Sequence, residues 1–298
     1  MFDRHTRREQ ANRLHAEGMA LNDAGDTPGA LAKYRAALEL DPDRPSTLYN
    51  VGLIYKYQSC WRESLRFNMR AYELRPNDEA TAWNLAIAAT ALNDWRTARS
   101  IWSTLGIKIT PGDSPVEDDF GITPVRLNSD NDGEVVWSKR IDPVRARLTS
   151  IPYADSGFRY GDTVLHDGAP VGYRTYEGRE FAVFNVLRLF EPSRFSTYEA
   201  DIVAPSPTDI EALEGICNDT GTAMEDWSRS VRILCRACSE GRPHKHHDSD
   251  KKEQEWEAER RIALAAISES QIQRVFDAWS DGDRAVTAWR QTLAATSR

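Results

Sequence analysis

The first third of the chain repeats itself every 34 residues. Small residues, and the prolines that follow them, recur in pairs at this spacing: Gly18 and Gly52, Ala30 and Ser64, Ala37 and Ala71, Pro42 and Pro76. The segments 30–42 and 64–76 align without a gap, and a weaker third copy continues through Asn84 and Ala98. A fixed period of this length indicates stacked supersecondary units, each too small to bury its apolar face alone.

The residue types within each period predict a pair of helices. Small residues such as Gly18 and Gly52 let the two helices approach closely, while large ones such as Tyr34 fill the space between units. Proline lacks the backbone N–H that a continuing helix needs, so Pro42 and its counterpart in the next copy end the second helix. Residues 1–110 are therefore predicted to form an α-solenoid of three helical hairpins.

This period, with its small, aromatic and proline positions in phase, resembles the tetratricopeptide-repeat (TPR) family. The resemblance implies a concave groove, lined by the first helix of each unit, that binds another polypeptide. The positions that it places in the groove are Asn12, His15, Met19, Asn22, Tyr49, Leu53, Lys56, Trp83 and Ile87.

The groove residues also indicate what kind of ligand to expect. Some family members clamp a peptide's C-terminal carboxylate with Asn, Lys and Arg side chains. Asn50 and Asn84 match one position of that set, but the basic residues are mostly absent, so no carboxylate clamp is expected. A mixed aromatic and apolar groove suits a helix or an internal segment of a partner protein. The alternative is that the chain's own C-terminal part fills the groove.

The composition changes after the repeats. Residues 111–133 are rich in proline, glycine and acidic side chains, which predicts a linker. Short alternating runs that predict β-strands then follow at 134–140, 146–151, 162–166, 172–176 and 180–190. The segment Asp167–Pro170 has the composition of a hairpin turn between two of them. Residues 134–194 are therefore predicted to form a small, mostly antiparallel β domain.

Residues 195–298 mix strand and helix patterns. The predicted strands are 196–204, 230–236 and 261–267, and the predicted helices are 207–216, one that Ser268 caps, and 283–295. Ser268 with Gln271 three residues later is the capping-box pattern of a helix N-terminus. The order predicts a ferredoxin-like α+β domain, and hence an α+β class for the chain.

The segment 156–174, SGFRYGDTVLHDGAPVGYR, is similar to a domain that follows such repeats in bacterial toxin-immunity-type proteins. This resemblance implies that the chain is an immunity protein that binds and neutralises a cognate toxin.

Charge is unevenly distributed along the chain. The formal net charge is -8, but residues 1–110 carry 15 Lys/Arg against 13 Asp/Glu, whereas the remainder carries 23 against 33. A nucleic-acid-binding protein needs a basic face, so no nucleic-acid partner is expected. No apolar stretch approaches the roughly 20 residues of a membrane span, and the charged N-terminus lacks the apolar core of a signal peptide. We therefore expect no membrane partner and a cytoplasmic location.

One late segment combines potential metal ligands. Cys235 and Cys238 form a C-x2-C pair, and His244, His246 and His247 follow closely. Two thiolates and two imidazoles can hold zinc in a tetrahedral structural site. The spacing from the second cysteine to the first histidine is shorter than common zinc fingers use, so two half-buried cysteines before a polar loop are the alternative. A catalytic zinc is not expected, because no glutamate has the H-x-E placement.

Common catalytic motifs do not occur in the sequence: there is no phosphate-binding loop, dinucleotide-binding glycine pattern, metalloprotease helix motif or nucleophile elbow. Together with the repeat, this predicts a non-catalytic protein that binds a protein partner, specifically a toxin. A scaffold or chaperone for a secreted effector is one alternative. A metal-dependent enzyme or regulator that uses the segment 235–247 is the other.

Overall fold

The computed structural model of this chain describes residues 4–129, 133–228 and 256–296. The chain divides into two compact units, residues 1–117 and 118–298. The first unit is helical, and the second combines a β-barrel with a four-stranded sheet that carries two helices.

The first unit consists of three helical hairpins, as the repeat predicts. Its helices are α1 (Arg4–Asp23), α2 (Thr27–Leu40), α3 (Pro45–Tyr57), α4 (Trp61–Leu74), α5 (Glu79–Ala91) and α6 (Trp95–Thr104). Helices α2, α4 and α6 begin 34 residues apart, and so do α3 and α5. The period in the sequence is therefore the period of the structure.

The turn inside each hairpin repeats in backbone conformation as well. Gly25, Ser59 and Asn93 have φ angles of 84°, 56° and 59°, in the left-handed region that glycine adopts most easily. The residue after each of them is the N-cap of the second helix. The carboxylates of Asp26 and Asp94 accept a backbone hydrogen bond there, whereas Cys60 makes no side-chain cap bond.

The second unit begins with a closed five-stranded barrel. Its strands are β1 (Ile122–Arg126), β2 (Val135–Arg140), β3 (Arg145–Leu148), β4 (Thr163–Tyr176) and β5 (Arg179–Glu191). Sequential strands pair antiparallel, and β1 closes the barrel by pairing parallel with β5. The linker prediction is therefore wrong for β1, whose inward side chains, such as Val125, lie in the barrel core.

Strands β4 and β5 form one long hairpin, which corrects the predicted turn at Asp167–Pro170. Those residues lie within β4 at an irregularity, where the pairing shifts between His166 and Pro170. The actual turn is Glu177–Gly178, with φ angles of 49° and 73°. Positive φ at both central residues is the geometry of a tight two-residue hairpin turn. The composition of 167–170 thus marks a bulge rather than a reversal of the chain.

The remainder of the second unit is a sheet with strand order β7-β8-β6-β9. Its elements are β6 (Ser196–Val203), α7 (Pro207–Thr220), β7 (Ala223–Asp226), β8 (Glu259–Ala266), α8 (Glu269–Trp279) and β9 (Ala285–Leu293). The two helices contribute Leu213, Val275 and Trp279 to a core on one face of the sheet. The predicted strand 230–236 lies outside the described residues.

The predicted final helix, 283–295, is wrong, because β9 occupies this segment. Val286 pairs with Ile202, but Ala288 pairs with Asp201, so Thr287 is an extra residue in the ladder. The hydroxyl of Thr287 donates to the carbonyl of Asp201 at 2.9 Å. This bulge puts Val286 and Trp289 on one face although they are three residues apart, a spacing that imitates a helix.

The barrel and the sheet share a hydrophobic contact. Tyr153, just beyond β3, packs edge-on against Trp227 with ring centroids 4.5 Å apart. The Glu225 carboxylate accepts from the backbone N–H of Ile151 at 2.7 Å, and the Arg159 Nε donates to the carbonyl of Ala294 at 2.8 Å. The two domains predicted for residues 134–298 therefore lie within one compact unit.

Candidate functional site

Two helices of the first unit expose apolar side chains along a shared depression. Met19 of α1 is 46% exposed and Tyr57 of α3 is 61% exposed. Asn22 and Leu53 line the same depression, whose volume is about 160 Å³. We call Met19, Asn22, Leu53 and Tyr57 together the α1–α3 groove.

The floor of the α1–α3 groove is held by a hydrogen bond between neighbouring units. The Asn50 side-chain amide donates to the Tyr34 hydroxyl at 3.2 Å. Burial raises the pKa of Tyr34, while the hydrogen bond from Asn50 acts in the opposite direction. The phenol therefore stays neutral at physiological pH and anchors the floor rather than serving as a charged contact.

Three of the predicted groove residues are buried instead. His15 bonds through Nδ1 with the Thr47 hydroxyl at 2.9 Å, and its pKa is lowered by burial and by the nearby charge of Arg44. Ile87 is fully buried, as is most of α5. A partner that approaches the surface cannot reach these side chains without rearranging the core.

The third buried residue, Lys56, is 2% exposed. Its ammonium donates to the Asn84 side-chain oxygen at 3.0 Å and lies over the Tyr57 ring, 4.5 Å from the centroid. Lys56 thus links the second repeat to the third and contacts the Tyr57 ring. Its role in the groove is to position Tyr57 rather than to touch a ligand.

The other predicted groove residues lie apart from this depression. Trp83 is half-buried and packs edge-on against Trp102, with centroids 4.8 Å apart. Tyr49 is also half-buried, and Asn12 accepts from the Arg44 guanidinium. The structure therefore gathers Met19, Asn22 and Leu53 from the predicted set, and leaves the rest outside.

The sequence prediction missed Tyr57, the most exposed large apolar side chain of the groove. Tyr57 follows Leu53 by four positions, so the two share a face of α3. Extending the groove pattern one helical turn beyond Leu53 would have found it. The 34-residue period offered no help, because the equivalent position in the first repeat is the polar residue Asp23.

The predicted metal ligands Cys235, Cys238, His244, His246 and His247 lie outside the described residues. Within residues 4–129, 133–228 and 256–296, no three metal-binding side chains cluster. The thiol of Cys217 is buried, and burial together with the charge of Glu214 raises its pKa to about 12. That thiol stays protonated at physiological pH and is a poor nucleophile.

The barrel contains charged side chains that hold its loops. Arg145 and Asp142 form an ion pair of 2.5 Å at 1% and 2% side-chain exposure, and Asp142 also accepts from the backbone N–H of Val144. His166 is fully buried, and its Nδ1 lies 2.8 Å from the Asp167 carbonyl. Burial lowers its pKa to about 4. This arrangement shapes the β2–β3 loop and the β4 bulge.

Sequence comparison supports the assignment of the helical unit. Residues 18–59 match the family model for the TPR repeat. The match covers the end of α1, all of α2 and all of α3, and so includes the α1–α3 groove. No curated protein matches the chain. None of the helices in the described ranges combines the length and the hydropathy needed to cross a bilayer.

Several solved structures are similar to part of the chain. Yeast Tom70 matches at 23% identity and a TM-score of 0.31, over 33% of this chain and 20% of the Tom70 chain. The TPR domain of Arabidopsis OM64 matches at 14% identity and a TM-score of 0.32, over 34% of this chain and 85% of that one. The N-terminal domain of the C. elegans stress-induced protein-1 matches at 20% identity and a TM-score of 0.31, over 35% of this chain and 89% of that one. Each match spans about a third of this chain.

Proposed function

We propose that this protein is a non-catalytic binding protein that holds a protein partner in the α1–α3 groove. The observation that carries the proposal is the exposure of Met19 and Tyr57 beside Leu53, on the helices of a TPR repeat. Exposed apolar side chains that cluster in a depression are typical of binding surfaces. A flexible methionine and a tyrosine with a polar tip adapt to a partner's surface at low cost.

The size of the groove favours a polypeptide over a small molecule. Its volume of about 160 Å³ is below the range of about 300–1,000 Å³ that small-molecule pockets occupy. A partner helix needs less depth, because it places one or two apolar anchors in a shallow groove and rests on the rim. Met19 and Tyr57 provide such a rim, and Leu53 lines the same depression.

The narrower form of the proposal is that the partner is a toxin, which this chain neutralises in the cytoplasm. The similarity of residues 156–174 to immunity-type proteins supports it. A second polypeptide, such as a secreted effector for which the chain acts as scaffold or chaperone, would use the same groove. Toxin activity, measured with and without the purified chain, separates inhibition from simple binding.

The experiment is capture of the partner from the native host with paired variants of the chain. Met19→Asp combined with Tyr57→Asp puts two charges into the groove and should abolish capture. The matched control is Tyr173→Asp combined with Ile267→Asp, which are 55% and 57% exposed in the second unit. If the groove variant still captures the partner, or if only the control variant fails to capture it, the interface lies outside the groove.

A further inference from the structure

The first unit has a second depression, which shares no lining residue with the α1–α3 groove. It has a volume of about 930 Å³ and lies between the first half of α1 and the loop that joins α2 to α3. Four arginines line it: Arg7, Arg8, Arg44 and Arg75. We call this surface the basic depression.

The acidic side chains of the basic depression do not balance its arginines. Asp41 and Asp43 are the carboxylates that line it in the described part of the chain. Asp43 is already bound by Arg70, whose Nη2 and Nε donate to it at 2.6 and 3.1 Å. The depression is therefore lined by four arginines and, in the described part of the chain, by one further carboxylate, Asp41.

The described residues satisfy the guanidinium of Arg44 only in part. Its Nη1 donates to the Asn12 side chain, but its Nε is buried and has no hydrogen-bond partner among the described residues. The positive charge of Arg44, after burial, also helps to lower the pKa of His15. The other three arginines of the depression, Arg7, Arg8 and Arg75, are exposed, so a ligand can reach them. A carboxylate is the acceptor that a guanidinium pairs with best.

We propose that the basic depression binds an acidic peptide segment, rich in Asp or Glu. The inference rests on the proposed function, because the segment belongs to the protein partner held in the groove. A peptide suits the site better than a nucleic acid does, since Asp41 and Asp43 interrupt the positive surface and would repel a continuous phosphate backbone. Carboxylates on a flexible peptide can reach the arginines and avoid the two aspartates.

The test measures binding of a short fluorescent peptide of alternating Glu and Ala to the full chain at low salt. Arg7→Gln combined with Arg8→Gln removes two exposed charges of the depression and should weaken binding about tenfold. The matched control, Arg13→Gln combined with Arg62→Gln, removes two exposed charges elsewhere in the unit and should bind as the native chain does. A peptide with Gln in place of Glu should not bind.

Three results would overturn the inference. They are equal affinity for the Gln peptide, an equal loss of affinity in both double variants, and tighter binding of a single-stranded RNA of the same length. The groove variant Met19→Asp with Tyr57→Asp separates the two proposals. Failure of the Glu peptide to bind, while partner capture still depends on the groove, defeats only the inference. If the Glu peptide binds but no captured partner depends on the groove, only the proposed function is defeated.

Discussion

The ring of Tyr34 packs directly on the backbone of Gly18. A Cβ atom at position 18 would lie 2.7 Å from the Tyr34 Cε1, closer than real Cβ atoms approach a neighbour. Tyr34 is 1% exposed, and its hydroxyl accepts a hydrogen bond from Asn50, so moving the ring would disturb packed neighbours. This contact sets the distance between α1 and α2, beneath the α1–α3 groove.

Gly18→Ala should destabilise the protein by about 1–3 kcal/mol, because the methyl group overpacks the contact with Tyr34. The matched control is Gly215→Ala in α7, where a Cβ would have nothing within 4 Å. That substitution should stabilise by about 0.5–1 kcal/mol through helix propensity. Urea unfolding of both variants measures the difference. A neutral or stabilising Gly18→Ala would show that the helices can separate without cost.

Cys60→Asp should stabilise the protein by about 1 kcal/mol, since it adds the side-chain cap that the second repeat lacks. The equivalent caps are present in the other two repeats: Asp26 accepts from the Gly29 N–H at 2.9 Å, and Asp94 from the Thr97 N–H at 3.2 Å. Comparing the thermal unfolding of Cys60→Asp with that of Cys60→Ala separates the effect of the new cap from the effect of losing the thiol. Equal stability of the two variants would contradict the prediction.

His166 should make the protein less stable in mild acid. Its pKa of about 4 in the folded state lies below the unfolded value of 6.5, so the unfolded chain binds the proton first. Stability is therefore fully present above about pH 6.5 and declines as the pH falls through this window, by about 3 kcal/mol at pH 4 and below. The charge of Arg140 strengthens the shift, while Asp167 opposes it.

The measurement is the urea midpoint of the native chain and of His166→Gln between pH 7 and pH 4. The variant should lose less stability than the native chain across this range, although its carboxylates titrate as before. His5→Gln is the control, because His5 is exposed on α1 and pairs with Glu9 at the surface. If the urea midpoints of the native chain and of His166→Gln fall in parallel with pH, His166 is not the source of the lost stability.

The segment 235–247 should bind one zinc ion per chain if its cysteines and histidines form the predicted structural site. Metal analysis of the purified protein, before and after Cys235→Ser with Cys238→Ser, measures it. Loss of zinc together with partial unfolding is the expected result for a structural site. Cys60→Ser with Cys217→Ser is the matched control. A protein purified without metal, which takes up none from a zinc buffer, would refute the site.

The helical unit was predictable because its determinants are local and repeated. The spacing of small residues and prolines located the hairpins, and the left-handed residues Gly25, Ser59 and Asn93 recur at the same interval. The groove was predicted only in part. Met19, Asn22 and Leu53 do meet, but a helical face does not say how deeply each position is buried, and His15, Lys56 and Ile87 lie inside.

The β structure was harder to predict because pairing partners are distant in the chain. The composition of 167–170 indicates a turn in isolation, yet β5 holds that segment within a strand. Similarly, β1 reads as a proline-containing linker until β2 and β5 pair with it on either side.

The sequence alone determined the helical repeat and its period, since helices and their caps depend on residues within a few positions of one another. Only the tertiary structure decided that residues 285–293 form a strand, because the bulge at Thr287 arises from pairing with Asp201 and Ile202, far away in the chain. It also decided which groove candidates reach the surface. Burial depends on what packs against a side chain, and the spacing of residues along a helix does not contain that information.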